Sequence, residues 1–245
     1  VPFGMLQVSP DNGISSWDWC SGYHYSDSIV TGFSHLHLSG TGIGDLADIL
    51  FMPINKKVDL TAKATSRDFL PYKSKYSHAN EKTTPGSYQV FLEDPKINVE
   101  LTSSQRTAFH KYTFAKNDKQ SVVIDLGFAI NWDKALKTAL KIEDEYTISG
   151  YRFSTGWAKN QKVFFVAKFS KPISETTLVA DKKIVEGKTA EGENTSLQLF
   201  FNSDNNPELL VKVALSSVSV ENAKDNLDTG DFNFQSIKSQ AQTIW

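Results

Sequence analysis

The 245-residue chain carries 26 Lys and Arg residues against 28 Asp and Glu residues, which gives a formal net charge of −2. A nearly neutral chain exerts no long-range field on a polyanion, so we expect no nucleic-acid partner. No run approaches the ~20 apolar residues that a membrane helix requires, and a single cysteine, Cys20, excludes an internal disulfide. The length fits one large domain.

Short apolar or alternating runs recur along the chain at the spacing of β-strands. Turn residues such as Thr84-Pro85-Gly86 separate many of them, which favours antiparallel connections over helical crossovers. The pattern predicts an all-β fold, a large antiparallel β-sandwich. Strands are predicted at residues 29–33, 35–38, 45–53, 88–92, 97–101, 108–114, 122–126, 146–153, 163–169, 197–201 and 209–215.

Helix signals concentrate near the C-terminus. Ser219 is a capping residue before a short helical stretch, and apolar residues recur at helical spacing from Phe234 to Trp245. We therefore predict a β-sandwich domain over residues 1–230 and a linker helix over residues 231–245. The amphipathic helix indicates that its apolar face continues into a linker or second domain.

Two further stretches have ambiguous or weak patterns. Residues 134–142 fit both a helix and a strand, whereas residues 182–196 are polar enough to predict a mobile loop.

Aromatic and ionisable side chains are most concentrated in the stretch Trp17-Asp18-Trp19-Cys20-Ser21-Gly22-Tyr23-His24-Tyr25-Ser26-Asp27. Four aromatic residues, a histidine and two carboxylates crowd this stretch with almost no aliphatic residues, so it is not a core strand. Sugar rings have an apolar face and a rim of hydroxyls, and they bind to flat aromatic rings beside short polar groups. The stretch therefore predicts a sugar-binding loop, and an aromatic corner that only anchors a loop is the alternative.

A second polar block follows at residues 32–45. On a strand, His35 and His37 would point to the same face, as two ligands of one metal would, but no further ligands stand at zinc-site spacing. Site-lining histidines are the preferred interpretation, and we expect no tight zinc site. The run from Gly40 to Gly44 lacks the lysine of a phosphate loop and predicts a turn where backbone approaches a ligand or neighbour. Four aspartates could form a pair of catalytic acid and base, or could only cap helices and stabilise turns. They are Asp18, Asp27, Asp45 and Asp48.

The opening blocks closely resemble those of glycoside hydrolase family 92. They are Pro2-Phe3-Gly4-Met5 with Ser9-Pro10-Asp11, the loop at 17–27, and Gly32-Phe33-Ser34-His35 through Asp45. The resemblance then continues to the end of the chain. It includes Glu81, Pro85-Gly86-Ser87-Tyr88-Gln89-Val90, residues 100–106, Ser149-Gly150-Tyr151-Arg152-Phe153-Ser154, Gly156-Trp157-Ala158, residues 164–172, residues 218–227 and the closing helix. The chain departs from the family at Ser87, where Tyr is usual, near residues 230–232, and in lacking glycine-rich residues before Pro2.

The resemblance implies the N-terminal β-sandwich of a bacterial, inverting exo-α-mannosidase, with α-1,2 linkages as the expected specificity. It implies a C-terminal (α/α)6 catalytic domain that carries the catalytic acid, the base and most ligands of a Ca²⁺ cofactor, so no catalytic or metal residue is expected here. Periplasmic or secreted location and α-mannosides of N-glycans or mannans as substrates are implied too. The expected substrate-binding residues are Phe3, Gly4, Trp17, Asp18, Cys20, His35, Ser39, Gly40, Thr41 and Gly42. A free-standing carbohydrate-binding module and a protein-interaction sandwich are the alternatives.

Overall fold

The computed structural model describes residues 1–38, 42–64, 66–116 and 118–245. Within them the chain forms two large antiparallel sheets, as the strand pattern predicts. The strands are β1 (Ser9–Asp11), β2 (Ile29–Val30), β3 (Gly32–Ser34), β4 (Leu36–His37), β5 (Leu46–Asp48), β6 (Leu50–Ile54), β7 (Ser74–Lys75), β8 (Glu81–Thr84), β9 (Ser87–Leu92), β10 (Ile97–Ser103), β11 (Thr107–Thr113), β12 (Gln120–Asp125), β13 (Lys134–Ile142), β14 (Thr147–Thr155), β15 (Gln161–Phe169), β16 (Ile173–Ala180), β17 (Lys183–Val185), β18 (Thr189–Gly192), β19 (Thr195–Phe201) and β20 (Glu208–Ser216).

One sheet has seven strands in the order β1-β3-β6-β12-β19-β16-β17, and the other has nine in the order β18-β13-β14-β15-β20-β11-β10-β9-β8. Two small ribbons, β2-β7 and β4-β5, complete the strand pairing of the described residues. The predicted strand at 29–33 is divided between a ribbon and the seven-stranded sheet, because the chain leaves one pairing at Thr31 and enters another.

The core lies between the two large sheets. Phe51 of β6 meets Phe165 of β15 edge to face at 6.5 Å between ring centroids. Phe169 of β15 and Phe201 of β19 lie 5.0 Å apart. Each pair joins one sheet to the other, and their burial is the main force that stabilises a sandwich of this kind. The all-β sandwich prediction is confirmed.

The two stretches with unclear patterns both form strands. Residues 134–142 are β13, with a bulge between Ala135 and Lys137 that breaks the strict alternation and explains the ambiguous pattern. The predicted mobile loop at 182–196 was wrong, because it holds β17 and β18 at the outer edges of the sheets. Polar, lysine-rich sequence is typical of edge strands, where it discourages pairing with other chains.

Two α-helices follow the sandwich: α1 (Val220–Asn226) and α2 (Phe234–Ile244). The Ser219 hydroxyl caps α1 by accepting from the Asn222 amide, as predicted, and Asn233 caps α2 in the same way. α2 packs against β9, β10 and β11. Short 3₁₀ helices occur at Trp17–Trp19, Arg67–Phe69 and His78–Asn80.

Of the helices in the described residues, none combines the length and the apolar character needed to cross a membrane.

Candidate functional site

The aromatic loop that follows β1 begins with the 3₁₀ helix Trp17–Trp19, in which no residue is buried. Trp17 is 67% exposed, and Asp18 beside it is exposed as well. A tryptophan with most of its surface in water is poorly placed to stabilise a core. Its large flat ring is available for a ligand or for a neighbouring domain.

Trp17 joins the aromatic loop to the glycine-rich block. A Cβ atom added to Gly42 would overlap the six-membered ring of Trp17, and Gly42 has a φ of +93°, which favours glycine. The Gly42 amide also donates to the sulfur of Cys20 at 3.3 Å. Three of the predicted site residues therefore lie together, and the sequence requires glycine at this position because the indole ring lies directly on the backbone.

A buried pair beneath the loop fixes its path. The Asp11 carboxylate contacts the His37 ring at 2.9 Å, and neither side chain is exposed to solvent. Gly22 (φ +87°) lies so close that an added Cβ would meet both side chains, and its carbonyl accepts from the Asn12 amide at 2.7 Å. Asn12 in turn accepts from the His24 amide at 2.6 Å. The loop is thus held at Gly22 and His24.

His37 is charged in this arrangement. Its Nδ1 faces the Gln7 carbonyl at 2.8 Å and its Nε2 faces the Asp11 carboxylate, so both nitrogens donate. Burial lowers the pKa of His37, but the Asp11 carboxylate and its hydrogen bond outweigh burial and raise the pKa above its usual value. The ion pair stabilises the floor of the loop.

His35 does not line a surface, contrary to its expected role as a wall residue. Its side chain is fully buried, and its Nδ1 donates to the Ile49 carbonyl at 2.6 Å. Its Nε2 faces Nε2 of His110 at 2.9 Å, and the Tyr112 hydroxyl contacts Nδ1 of His110 at 2.8 Å. A carbonyl only accepts, so the chain of donors runs from Tyr112 through His110 and His35 to Ile49, with both rings neutral.

The role of His35 is to anchor backbone. Ile49 has a φ of +62°, an unfavourable value for a β-branched residue, and Leu46 and Ala47 also have positive φ values. These residues follow directly after the glycine-rich block. The hydrogen bond from His35 holds the Ile49 carbonyl and so stabilises this strained segment next to the site.

His35 and His37 bind different groups rather than a shared point. Every ring nitrogen of the two residues faces another protein group. In the part of the chain that the structure describes, no three His, Cys, Asp or Glu side chains converge as metal ligands do. The absence of a tight zinc site stays a prediction, for which zinc retention after dialysis is the test.

Asp45 and Asp48 have structural partners. Asp45 accepts from the Ala158 amide at 2.8 Å, and Asp48 pairs with Arg152 at 2.7 Å in the core. Burial raises the pKa of Asp48 to about 6 even though the Arg152 guanidinium lowers it. Asp27 is similarly occupied by Arg67. Of the four candidate aspartates, Asp18 alone is exposed.

The remaining expected residues lie at the N-terminus and in the glycine block. Phe3 is fully exposed, and the segment after Gly4 is held by hydrogen bonds from the Met5 amide to Gln105 and from the Gln7 amide to His35. This segment therefore runs alongside the backbone of His35. The other predicted site residues, Ser39, Gly40 and Thr41, lie outside the described residues.

Two exposed tryptophans were absent from the expected site. Trp132 follows Asn131, whose side chain fills the space beside Gly44, and Trp157 lies between Gly156 and Ala158, which surround Asp45. They are 61% and 63% exposed. Trp157 stands in a block that resembles the family, which was a usable signal, whereas nothing in the sequence around Trp132 links it to residues 42–45.

Comparisons with known proteins agree with this architecture. The chain matches the glycosyl hydrolase family 92 N-terminal domain over residues 1–216. It is similar to the solved family GH92 α-mannosidase of Bacteroides thetaiotaomicron, with 32% identity and a TM-score of 0.91 over 100% of this chain and 34% of that one. The same enzyme in complex with mannoimidazole matches with 32% identity and a TM-score of 0.91, over 100% of this chain and 33% of that one.

A family GH92 inverting mannosidase of the same organism is 24% identical, with a TM-score of 0.79 over 100% of this chain and 32% of that one, and shows the fold alone. No curated protein matches the chain. The chain spans about a third of the length of the solved mannosidases. Because the family match covers residues 1–216 of the 245, the chain belongs to glycosyl hydrolase family 92, whose N-terminal domain it contains.

Proposed function

We propose that this domain forms one wall of the mannoside-binding site of an inverting exo-α-mannosidase that removes α-1,2-linked mannose from N-glycans or mannans. The observation that carries the proposal is the exposed ring of Trp17 lying on Gly42. It unites two blocks that are far apart in the chain into one polar and aromatic surface. A relative with 32% identity over this whole chain has been solved with mannoimidazole, which supports mannose as the sugar.

The chemistry of the wall suits a pyranose. The indole of Trp17 offers a flat apolar face for the C–H groups of the sugar, and the exposed carboxylate of Asp18 offers an acceptor for a hydroxyl. Cys20 and Gly42 fix the loop backbone below the ring. Because the Trp17 ring is held in a fixed position, it can bind the sugar at a lower entropy cost of positioning the substrate.

The acid and base of the reaction belong, in this proposal, to the remainder of a longer protein. Inverting hydrolysis requires a carboxylic acid at the leaving oxygen and a carboxylate that activates water on the opposite face of the sugar. Asp27, Asp45 and Asp48 are already bound to other groups of the domain. Only Asp18 of the four candidates is left, and one carboxyl group cannot act as both acid and base, so we expect this chain alone to hydrolyse no α-mannoside.

In this proposal, the part of the longer protein outside this chain also binds the calcium ion. A calcium ion takes about six to eight oxygen ligands. The described residues bring no three His, Cys, Asp or Glu side chains to one point, so they lack the cluster of carboxylates that would hold a calcium ion within this domain. We accordingly derive no step of the reaction through the ion. Location in the periplasm or outside the cell is proposed from the family resemblance.

The test is alanine substitution of Trp17 in the longer enzyme. Losing a stacked, desolvated aromatic ring costs roughly 1–3 kcal/mol, so kcat/KM for an α-mannoside should fall about 5- to 150-fold. Phe69→Ala is the matched control, because Phe69 is 68% exposed on a different loop, and it should leave kcat/KM unchanged. Equal kinetics for Trp17→Ala and the control would remove Trp17 from the substrate site.

A further inference from the structure

A second cleft lies beside the aromatic loop and has no role in the site described above. It has a volume of about 380 Å³, at the lower end of the roughly 300–1,000 Å³ of ligand pockets. Its walls come from the loop, from β1, and from β8 and β9. The lining residues are Gln7, Ser9, Pro10, Ser21, Tyr23, Tyr25, Glu81, Thr83 and Tyr88.

Glu81 is the polar centre of this cleft. Its carboxylate accepts from the Tyr88 hydroxyl at 2.6 Å, from the Tyr23 hydroxyl at 3.1 Å and from Nδ1 of His78 at 2.6 Å. Its side chain is only 8% exposed, and no Lys or Arg of the described residues pairs with it. The three donors satisfy the carboxylate. The Tyr23 hydroxyl also hydrogen-bonds with Tyr76, whereas the phenol oxygen of Tyr88, which donates its proton to Glu81, keeps lone pairs that can accept.

The two phenols stay neutral across the physiological range. Burial raises the pKa of Tyr23 above its usual value, and the nearby Glu81 raises it further. Burial and the hydrogen bond to Glu81 raise the pKa of Tyr88 in the same way. With the carboxylate occupied, the cleft presents hydroxyl groups and ring faces, which suit a neutral polyhydroxylated ligand better than an ion.

Tyr25 provides a flat surface at the cleft. One face of its ring stacks on His78, with 4.0 Å between centroids and 14° between planes. Glu81 orients His78 through their hydrogen bond, so the support beneath Tyr25 is fixed. Tyr25 nevertheless remains 69% exposed. A supported and exposed ring of this kind is what the C–H face of a pyranose packs against.

We infer that this cleft binds a second pyranose of the same glycan, beyond the terminal unit held at Trp17. The inference rests on the proposed function, because it takes the α-mannoside as the shared ligand. Ser21 is four residues from Trp17, so their Cα atoms are at most about 14 Å apart. The cleft thus begins within reach of the next units of a chain whose end lies at Trp17.

The experiment compares two substrates in the longer enzyme. An aryl α-mannoside has one sugar ring and occupies only the terminal site, whereas an α-1,2-mannotriose also reaches the cleft. Tyr25→Ala should lower kcat/KM for the trisaccharide about tenfold and leave the aryl mannoside unchanged. Tyr25→Phe keeps the ring and should behave as the unmodified enzyme, and Phe69→Ala is the control for loss of an equally exposed ring.

The outcomes separate the two proposals. Equal kinetics of Tyr25→Ala and the unmodified enzyme on the trisaccharide would overturn the second subsite, as would an equal loss on both substrates, which indicates a general structural effect. Activity on the aryl mannoside in all variants would at the same time leave the proposed function standing. An unmodified enzyme that hydrolyses neither substrate would overturn the proposed function and this inference with it.

Discussion

At the scale of single residues, the site depends on glycines that accept side chains against their backbone. Gly42 and Gly22 both have positive φ values, and both lie where a Cβ would collide with a neighbour. In each case the neighbour, Trp17 or the Asp11 and His37 pair, belongs to the candidate site or its floor. The glycines thus specify contacts within the domain as well as turns.

Substitution of Gly42 tests this directly. Alanine at Gly42 should displace the Trp17 ring, because the added methyl group overlaps it, and should therefore shift tryptophan fluorescence and weaken mannoside binding. Gly187→Ala is the matched control, since Gly187 has a similar φ of +98° but nothing within 4 Å of an added Cβ. Both variants should lose roughly 1–2 kcal/mol of stability from backbone strain. If their fluorescence and binding were equally affected, the Trp17 contact would not be the cause.

The buried His35 and His110 pair should make stability depend on pH. Burial lowers the pKa of His35 to about 4, and burial also lowers the pKa of His110 well below its usual value. Between pH 6.5 and pH 4 the unfolded chain therefore binds protons at these positions that the folded chain does not. The contribution of these two histidines to the free energy of unfolding should therefore fall as the pH falls, by up to about 1.4 kcal/mol per pH unit for each. Asp48, whose pKa burial raises to about 6, contributes in the opposite direction over the same range.

Chemical unfolding of His110→Gln across this pH range measures the effect. The variant keeps a polar amide beside Tyr112 and His35 but removes one titrating group, so its free energy of unfolding relative to that of the unmodified chain should rise as the pH falls from 6.5 to 4. A slope equal to that of the unmodified chain would show that His110 is not held neutral in the fold.

Local sequence patterns predicted the exposure of some site residues but not the depth or the long-range contacts of others. Trp17 was expected outside the core because aromatic and polar residues crowd its loop, and its ring is exposed; its contact with substrate stays a prediction. The position of His35 was wrong, because His-x-His spacing says nothing about depth, and the break between β3 and β4 places His35 outside a regular strand. Trp132 was not expected, because its neighbour Asn131 meets Gly44 through a long-range contact that no local pattern reveals.

At the scale of elements, one buried lysine attaches the C-terminal segment to the sandwich. Lys212 of β20 is 1% exposed, and its ammonium group donates to the Asp228 carboxylate at 3.1 Å and to the Gly230 carbonyl at 2.5 Å. It also lies over the rings of Phe109 and Phe232, at 5.5 and 4.9 Å from their centroids. The stretch that leads into α2 is thereby fixed on the nine-stranded sheet.

Lys212→Met should release this segment. Methionine keeps much of the apolar stem but leaves the acceptors of Asp228 and Gly230 without their donor, which costs roughly 1–3 kcal/mol. Hydrogen exchange of the amides from Asp228 through α2 should accelerate about tenfold or more. Lys168→Met is the control, because Lys168 stands opposite Lys212 in the register of β15 and β20 but is exposed. Unchanged exchange in Lys212→Met would contradict the attachment.

Elements were more predictable than the site. Strands with clear alternation and the capped helix α1 follow from the sequence, because burial of one face dictates their period. Strands β17 and β18 could not be predicted in this way, because edge strands tolerate polar residues on both faces and so show no clear alternation. The pairing order of the sheets was beyond prediction, because contacts such as that of β20 with both β11 and β15 join residues far apart in the chain.

At the scale of the whole molecule, a buried arginine links the sandwich to the site. Arg152 of β14 pairs with Asp48 of β5 and with Asp133, and it donates to the carbonyls of Leu126 and Phe128 beyond β12. Those partners reach the seven-stranded sheet and the strand that follows the glycine block. Asp48, which follows the glycine-rich block in the chain, is thus held by a side chain of the nine-stranded sheet.

The surfaces beside the aromatic loop and α2 adjoin each other in the fold. Ser9, Thr83 and Tyr88 line the cleft next to Tyr25, and they also line a neighbouring 270 Å³ cavity that reaches Trp245. The closing helix, whose apolar face we expect to continue into a linker or second domain, therefore ends close to the cleft at Tyr25.

The most direct test is a structure of the longer protein with a mannose-configured inhibitor such as mannoimidazole bound. The central claim is that the Trp17 and Gly42 surface contacts the sugar. We expect inhibitor carbon atoms within about 4.5 Å of the Trp17 indole, with the catalytic carboxylates reaching the same sugar from outside residues 1–245. An inhibitor bound without any contact to residues 17–20 or 42 would contradict the claim.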